Sequence, residues 1–220
     1  VDMLRSKGYF GWSIPQAYGG LGLTTEELVT CAFEISQASV ALRARVGTNT
    51  GIGVEALVAD GTEEQKQRYL PRLASGELTS CMALTEPEAG SEATNIQTTA
   101  RREGDSYVLN GSKRFITNAA EAGVYTVMAR TGGPGAGGIS AFIVERGTPG
   151  LSLGAIDAKM GHKGSHTCDV IFEDCRIPAA NLIGGVEGVG FKTAMKVLDK
   201  GRLNIAAASI GAAQRLLAES

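Results

Sequence analysis

The sequence has few of the residues that build stapled small folds, metal sites or nucleic-acid interfaces. It contains 4 cysteines and 2 histidines in 220 residues, and the cysteines show no CxxC spacing. We therefore expect neither a disulfide framework nor a metal site, and we predict reduced thiols. Aromatic residues make up 5% of the chain, which is too few for surfaces that stack nucleic-acid bases.

An excess of charge of one sign is also missing, since the formal net charge is −2. Such a balance gives no general attraction to nucleic acid or to an anionic membrane surface. No apolar run approaches the length of a membrane span, and no signal peptide opens the chain. We predict no nucleic-acid partner and no stable membrane insertion. Because the first residue is a valine, the N-terminus is expected to be incomplete.

The spacing of apolar residues changes twice along the chain, which predicts three domains. Residues 1–78 show helical periodicity, with capping boxes that begin at Thr24 and Thr62. Residues 79–187 contain short β-prone runs without intervening helices, which favours an antiparallel β domain over a parallel sheet. Residues 188–220 return to a helical period and show no stop signal. The predicted fold class is therefore α+β and multidomain.

Two glycine-containing segments of the β-prone part make local predictions. Asn110-Gly111 separates the runs Tyr107–Leu109 and Arg114–Thr117, and both residues accept positive φ, so the pair predicts a hairpin turn. The glycines of Thr131–Gly138 match a dinucleotide fingerprint as a string of letters. A strand rather than a helix is expected to follow them, so no nicotinamide site is predicted and the stretch is interpreted as a loop.

Six short motifs together resemble one protein family. They are Leu84–Ser91 (LTEPEAGS), Gly111–Asn118 (GSKRFITN), Thr148–Leu151 (TPGL), Val170–Cys175 (VIFEDC), Gly188–Gly190 (GVG) and Asp199–Arg202 (DKGR). In order and spacing they resemble the acyl-CoA dehydrogenase family, and the resemblance covers the chain from Pro15 onward. A single motif of this length would be weak, whereas six collinear ones are specific. The sequence is most similar to short branched-chain members of the isobutyryl-CoA dehydrogenase type.

The resemblance implies a fold and an activity. It implies an N-terminal helical domain, a middle β domain and the start of a C-terminal four-helix bundle, with FAD held between them. The implied enzyme is an oxidoreductase acting on CH–CH groups, which converts a short or branched-chain acyl-CoA to the enoyl-CoA in fatty acid or branched-chain amino acid catabolism. The implied partners are electron-transferring flavoprotein and further subunits of a homotetramer or homodimer. The implied compartment is the bacterial cytoplasm or the mitochondrial matrix.

Cofactor-binding positions follow by matching motifs, and they lie in two segments. The implied FAD-binding residues are Met82, Leu84, Thr85, Gly90, Ser91, Phe115, Ile116 and Thr117. The first three would address the pyrimidine edge of the flavin, where negative charge develops on reduction. Gly90 and Ser91 would turn the chain near the pyrophosphate. Glu88, where relatives often have glycine, would be strained if this turn required a positive φ.

The second segment would lie against the flavin ring. Thr117 would hydrogen-bond flavin N5, the atom that accepts the hydride. Phe115 would cover the flavin face opposite the substrate, where many relatives have tryptophan.

Substrate positions are implied at Ser91, Asp199 and Arg202, whereas no catalytic residue is assigned. The reaction needs a carboxylate that removes the α proton of the thioester. Some relatives carry this glutamate between the positions of Asp199 and Arg202, but Lys200-Gly201 stands there in this sequence. The base is therefore expected to be a glutamate beyond Ser220.

Each matched position also has a purely structural interpretation. Thr85 and Ser91 would cap local turns, and Phe115 and Ile116 would be strand core. The Asp199–Arg202 stretch would hold an i,i+3 surface ion pair. Two other functions also remain open. One is an acyl-CoA oxidase or flavin monooxygenase of the same fold, and the other is a non-catalytic module that binds CoA esters or flavin.

Overall fold

The computed structural model describes residues 2–220, in which α-helices precede and follow a sheet along the chain. Val1, where the predicted first domain begins, lies outside the described residues. The α-helices are α1 (Asp2–Ser6), α2 (Thr25–Ala38), α3 (Val40–Gly47), α4 (Glu55–Asp60), α5 (Glu63–Ala74) and α6 (Gly190–Glu219). Among residues 2–220, neither α6 nor any shorter helix has the length and hydrophobicity that a membrane crossing requires. The domain boundaries at 78/79 and 187/188 stay a prediction.

Capping boxes fix the starts of α2 and α5, as the sequence predicts. The Thr24 side chain accepts from the Glu27 amide, and the Glu27 carboxylate accepts from the Thr24 amide at 2.8 Å. Thr62 and Gln65 form the same reciprocal pair at the start of α5. The Gln65 side chain also donates to the Leu182 carbonyl at 2.7 Å. The second cap therefore anchors α5 to the chain that leaves the sheet.

The middle of the chain forms one sheet of seven strands in the order β1-β4-β2-β3-β7-β6, with β5 paired to β4. The strands are β1 (Ser80–Ala83), β2 (Thr99–Glu103), β3 (Ser106–Thr117), β4 (Val124–Arg130), β5 (Ile139–Glu145), β6 (Leu151–Leu153) and β7 (Thr167–Pro178). The predicted succession of helical part, β part and C-terminal helix is confirmed. The sheet is mixed rather than wholly antiparallel, because β4 runs parallel to β1 and meets β2 in parallel at one residue pair. The segment between β1 and β4, which contains β2 and β3, is long enough to form the crossover connection that two parallel strands need.

The hairpin predicted at Asn110-Gly111 is wrong. β3 runs through this pair without turning, and the turn lies at Gly104-Asp105 between β2 and β3. Gly104 takes a φ of +59°, the positive value that the first position of a tight two-residue loop favours. Gly111 instead allows a close approach, because a Cβ there would lie 2.5 Å from the Thr98 hydroxyl oxygen. The register against β7 shifts at this point.

Strands β4 and β5 are buried on both faces, which explains their nearly continuous apolar sequences. Tyr125 and Val127 belong to an inner cluster within the curled sheet. Val124 and Met128 point the other way, into a cluster shared with α4, α5 and α6. All four cysteines are free thiols, and burial raises the pKa of Cys175 in the inner cluster to about 11. The sheet thus lies between two clusters of buried apolar side chains.

Alanine substitutions at two glycines of α6 are expected to change the free energy of unfolding differently. A Cβ at Gly211 would lie 2.3 Å from the carbonyl oxygen of Phe33 in α2, whereas a Cβ at Gly201 would lie 3.3 Å from a methyl group of Ile52. We expect Gly211→Ala to lower the free energy of unfolding by about 1–3 kcal/mol, because backbone would have to shift. We expect Gly201→Ala to leave it unchanged or to raise it by up to about 1 kcal/mol, because alanine favours helix. Urea denaturation of both variants measures the difference, and equal stabilities would contradict the packing of α2 on α6.

Candidate cofactor and substrate site

The two segments predicted to hold the cofactor lie side by side. The Arg114 amide in β3 donates to the Thr85 carbonyl at 2.8 Å. The Lys113 ammonium donates to the Leu84 carbonyl at 3.1 Å. These hydrogen bonds join the chain directly after β1 to the last residues of β3. The two segments therefore form one continuous surface.

A buried ion pair that the sequence analysis missed holds this surface together. Lys113 Nζ lies 2.7 Å from Glu86 Oε1, and their side chains are 0% and 4% exposed. The Glu86 carboxylate also accepts from the amides of Gln97 and Thr98 at 2.5 and 3.0 Å. Burial lowers the pKa of Lys113 to about 8. Burial alone would raise the pKa of Glu86, but the Lys113 charge and the hydrogen bonds outweigh it, so this pKa is lowered.

One sequence signal could have pointed to Lys113. Buried Tyr107 and Leu109 stand at alternate positions of β3, and the same alternation leads to Lys113. A lysine on the buried face of a strand needs a partner, since an unpaired charge there is unfavourable. The identity of that partner, Glu86, could not be deduced, because the register that brings it close depends on the rest of the sheet.

The end of β3 holds a strained aromatic residue. Phe115 has a φ of +58° and lies where the register against β7 shifts. Its side chain is 58% exposed, and the guanidinium carbon of Arg114 lies 4.9 Å from the ring centroid. A left-handed non-glycine residue costs about 1–3 kcal/mol, and such strain clusters at functional sites. The strand-core interpretation is therefore wrong for Phe115, whereas it describes Ile116, which is buried in the inner cluster.

Replacement of Phe115 separates its backbone strain from its proposed role toward a flavin. Phe115→Gly should leave the free energy of unfolding unchanged or raise it by about 1 kcal/mol, because glycine removes the left-handed strain and little buried area is lost. The same variant should retain less flavin after gel filtration, and Phe115→Trp, which keeps an aromatic ring, should retain it fully. Full flavin retention by Phe115→Gly would show that the ring does not cover the cofactor.

A cleft of about 730 Å³ opens beside Thr117, within the size range of sites for small molecules. Its walls come from α3 and the loop after it, from the chain before β7, and from α6. Residues that contribute to the walls include Thr48, Ile52, Thr117, Ser165, Leu198 and Gly201. The cleft thus lies between Thr117, at the end of the second predicted cofactor segment, and the C-terminal helix.

Unpaired hydroxyl groups make this site suitable for a flavin. The buried Ser165 hydroxyl, on the cleft wall, has no hydrogen-bond partner. The hydroxyls of Thr85 and Thr117 likewise have no partner among residues 2–220. Of these three residues, Thr117 and Ser165 line the cleft, and free hydroxyl donors there fit a planar ring system with a polar edge, such as the isoalloxazine of FAD. Met82 and Leu84 are almost buried, so they would contribute backbone groups rather than side chains.

The turn after β1 differs from the expectation in two ways. Neither Glu88 nor Gly90 adopts a left-handed φ. Glu88 is therefore not strained, and a positive φ does not explain the glycine at position 90. A Cβ at Gly90 would meet no atom within 4 Å, so the space beside this residue is open. Ser91 is exposed and does not cap the following short helix, which begins after Glu92. The roles of Gly90 and Ser91 at a pyrophosphate stay predictions.

The predicted substrate residues are divided by the structure. Arg202 lines the cleft, whereas Asp199 and Ser91 are not among its lining residues. Asp199 and Arg202 form the exposed i,i+3 ion pair at 2.9 Å that was the structural alternative. No aspartate or glutamate lines the cleft in the described part of the chain. The catalytic base is therefore not assigned to these walls, and its location beyond Ser220 stays a prediction.

Comparisons with known proteins agree with this architecture. The chain matches the N-terminal domain of acyl-CoA dehydrogenases over residues 1–77 and the middle domain over residues 81–175. It is 43% identical to an acyl-CoA dehydrogenase of Bacillus subtilis over 218 residues, which are 99% of this chain and 57% of that protein. It is 52% identical to the mitochondrial isobutyryl-CoA dehydrogenase of Bos taurus over 153 residues, which are 70% of this chain and 36% of that protein.

Solved structures show the same fold. Butyryl-CoA dehydrogenase from Megasphaera elsdenii superposes with a TM-score of 0.94 at 38% identity, covering 99% of this chain and 58% of that one. An acyl-CoA dehydrogenase from Bacillus anthracis, complexed with FAD, superposes with a TM-score of 0.91 at 40% identity, covering 97% and 37%. The chain spans about half the length of the curated relatives it matches, 51–57% of the first three. The family predicted from the six motifs is confirmed: this chain belongs to the acyl-CoA dehydrogenases, whose N-terminal and middle domains it carries.

Proposed function

We propose that this protein is an FAD-dependent dehydrogenase that converts short or branched-chain acyl-CoA thioesters to enoyl-CoA. The observation that carries the proposal is the free Thr117 hydroxyl, which lies on the wall of a cleft of about 730 Å³ at the end of the second predicted cofactor segment. Relatives named as isobutyryl-CoA and short-chain acyl-CoA dehydrogenases support the substrate class. A relative solved with FAD supports the cofactor.

The reaction removes a proton from Cα and a hydride from Cβ of the acyl chain. FAD, when bound, accepts the hydride. Thr117 supplies a hydroxyl donor at the ring edge, and preorganised donors of this kind stabilise charge that develops during reaction. Phe115 would cover one face of a bound ring and would keep water from it. The Glu86–Lys113 pair holds the Leu84 carbonyl and with it the position of the cofactor segments.

The proton needs a carboxylate that the described walls of the cleft do not include. We assign this role to a glutamate beyond Ser220, as the family resemblance implies. Asp199, Arg202 and Ser91 are proposed to contact the CoA ester at the outer part of the site. Of these, Arg202 is the residue that lies on the cleft wall.

The electrons are proposed to leave through electron-transferring flavoprotein. A solved structure of the electron transferring flavoprotein of Acidaminococcus fermentans includes a chain that matches with a TM-score of 0.95 at 44% identity, which supports this partner. It covers 99% of this chain and 57% of that one. We also propose a homotetramer or homodimer. The proposed compartment is the bacterial cytoplasm or the mitochondrial matrix, since relatives come from Bacillus subtilis and from mitochondria.

The decisive experiment uses the intact protein with its flavin under anaerobic conditions. Addition of butyryl-, isobutyryl- or octanoyl-CoA should bleach the visible flavin absorbance, fastest with one of the two short esters. Reoxidation should be fast with electron-transferring flavoprotein and slow with air. Fast reoxidation by air would indicate an oxidase or monooxygenase instead, and no bleaching by any ester would indicate a binding module.

A further inference from the structure

We infer that Arg114 is a positioning residue for the flavin, which holds the Phe115 ring in place and adds a positive charge beside it. The inference rests on the proposed function, because it concerns the ring face that Phe115 is proposed to cover. Arg114 stands in β3 between Lys113, which donates to the Leu84 carbonyl, and Phe115, whose side chain is exposed. The charge of Arg114 is expected to favour the reduced flavin over the oxidised one.

A bulge in β3 sets the directions of both side chains. Where the register of β3 against β7 shifts, two residues of β3, Arg114 and Phe115, lie opposite one residue of β7, Asp169. Phe115 takes its left-handed φ of +58° at this point. A bulge turns side chains away from the regular alternation of a strand. Because a left-handed phenylalanine is strained, the surrounding contacts have to hold this conformation.

Arg114 makes three contacts that hold the bulge. Its amide donates to the Thr85 carbonyl at 2.8 Å. Its Nη1 lies 2.9 Å from Oδ2 of Asp169. Its guanidinium carbon lies 4.9 Å from the centroid of the Phe115 ring, within the range of about 6 Å over which a cation is attracted to an aromatic face. Arg114 therefore connects the first cofactor segment, β7 and the Phe115 ring.

The ion pair of Arg114 with Asp169 is poorly explained by the stability of the fold alone. The two side chains are 42% and 25% exposed, and ion pairs this accessible to water contribute little to stability. The second carboxylate oxygen, Oδ1 of Asp169, is buried and has no hydrogen-bond partner among residues 2–220. Burial of an unpaired polar atom is unfavourable. This combination favours a role of Arg114 at the Phe115 ring.

The chemistry of a flavin explains what the charge of Arg114 would do. A hydride brings one proton and two electrons, so a ring that has accepted it carries one additional negative charge. A cation on the far side of the covering aromatic ring would stabilise this charge. Asp169 and water screen the cation, so we expect a preference for the reduced ring of about tenfold rather than more. The other nearby charges, Lys113 and Glu86, neutralise each other.

The test measures the reduction potential of the flavin bound to the intact protein, by anaerobic titration with dithionite against a reference dye. Arg114→Gln should make reduction about tenfold less favourable, which lowers a two-electron potential by about 30 mV. Arg114→Lys should stay within about 3-fold of wild type, because an ammonium also lies over aromatic rings. The control Arg176→Gln removes the arginine of an exposed ion pair with Glu103 and should leave the potential unchanged. The urea midpoint of Arg114→Gln should stay close to that of wild type.

Several outcomes would overturn the inference. An unchanged potential in Arg114→Gln would do so, and a lowered urea midpoint beside it would assign Arg114 to the fold alone. A potential lowered as far in Arg114→Lys as in Arg114→Gln would show that the charge is not the cause.

Failure of the proposed function would look different, because dithionite reduces the flavin without an acyl-CoA. The predicted shift in potential, with no bleaching by any ester, would support the inference and reject the proposed function. Bleaching by an ester without the shift would do the reverse. A wild-type protein that binds no flavin would reject both.

Discussion

Replacement of Lys113 by methionine is expected to lower the free energy of unfolding by about 3–5 kcal/mol, because it leaves the Glu86 carboxylate buried without its cation. The loss should be visible as a lower urea midpoint with an unchanged slope. Because Lys113 also holds the Leu84 carbonyl, the variant should lose flavin more readily than wild type.

Two further variants make this prediction specific. Lys113→Met combined with Glu86→Gln should recover part of the loss, because the neutral amide removes the buried unpaired charge and its oxygen can still accept from one of the backbone amides of Gln97 and Thr98. Arg176→Met removes one partner of the exposed pair with Glu103 and should cost less than about 1 kcal/mol. A Lys113→Met protein as stable as Arg176→Met would show that the buried pair does not hold the site together.

Replacement of Thr117 by valine should slow the reduction of the flavin by acyl-CoA by up to about 10²-fold, because a donor near developing charge is lost. Valine has a similar shape and favours strands, so the end of β3 should stay folded. Stopped-flow measurement of anaerobic flavin bleaching gives the rate. Thr117→Ser keeps the hydroxyl and should stay close to wild type, as should Thr99→Val at an exposed position of β2. An unchanged rate in Thr117→Val would remove this hydroxyl from the mechanism.

Local chemistry explains the parts of the fold that could be predicted. The caps at Thr24 and Thr62 depend on residues three positions apart, which the sequence shows directly. The β-prone runs of residues 79–187 include Val124–Arg130 and Ile139–Glu145, which form β4 and β5. Turn residues follow these apolar runs, so few alternative secondary structures are compatible with the two segments. The succession of three parts followed from the change in periodicity alone.

The parts that could not be predicted depend on contacts between distant segments. Asn110-Gly111 carries a strong turn signal, but pairing with β7 and the close approach of Thr98 keep it within β3. The φ of Phe115 depends on a register shift between β3 and β7, and the sequence of β3 alone does not set that register. In the same way, the cleft depends on α3, α6 and the chain before β7, which are distant in sequence and enclose one space.

The candidate site, like the fold, could be predicted from the sequence only in part. The family resemblance placed the cofactor positions in two segments, and the structure brings these segments together through Leu84, Thr85 and the end of β3. The resemblance did not distinguish Arg202, which lies on the cleft wall, from Asp199 and Ser91, which are not among the lining residues of the cleft. That distinction depends on which side of α6 and of the turn faces the cleft.

The central claim is that the flavin ring lies between the Leu84–Ser91 segment and the Phe115–Thr117 segment and faces the cleft of about 730 Å³. A crystal structure of the intact protein, purified with its flavin, tests this most directly. We predict the flavin N5 edge within hydrogen-bond distance of the Thr117 hydroxyl, with Phe115 against the ring face away from the cleft. Electron density for the flavin elsewhere, with Thr117 still free of a partner, would contradict the account.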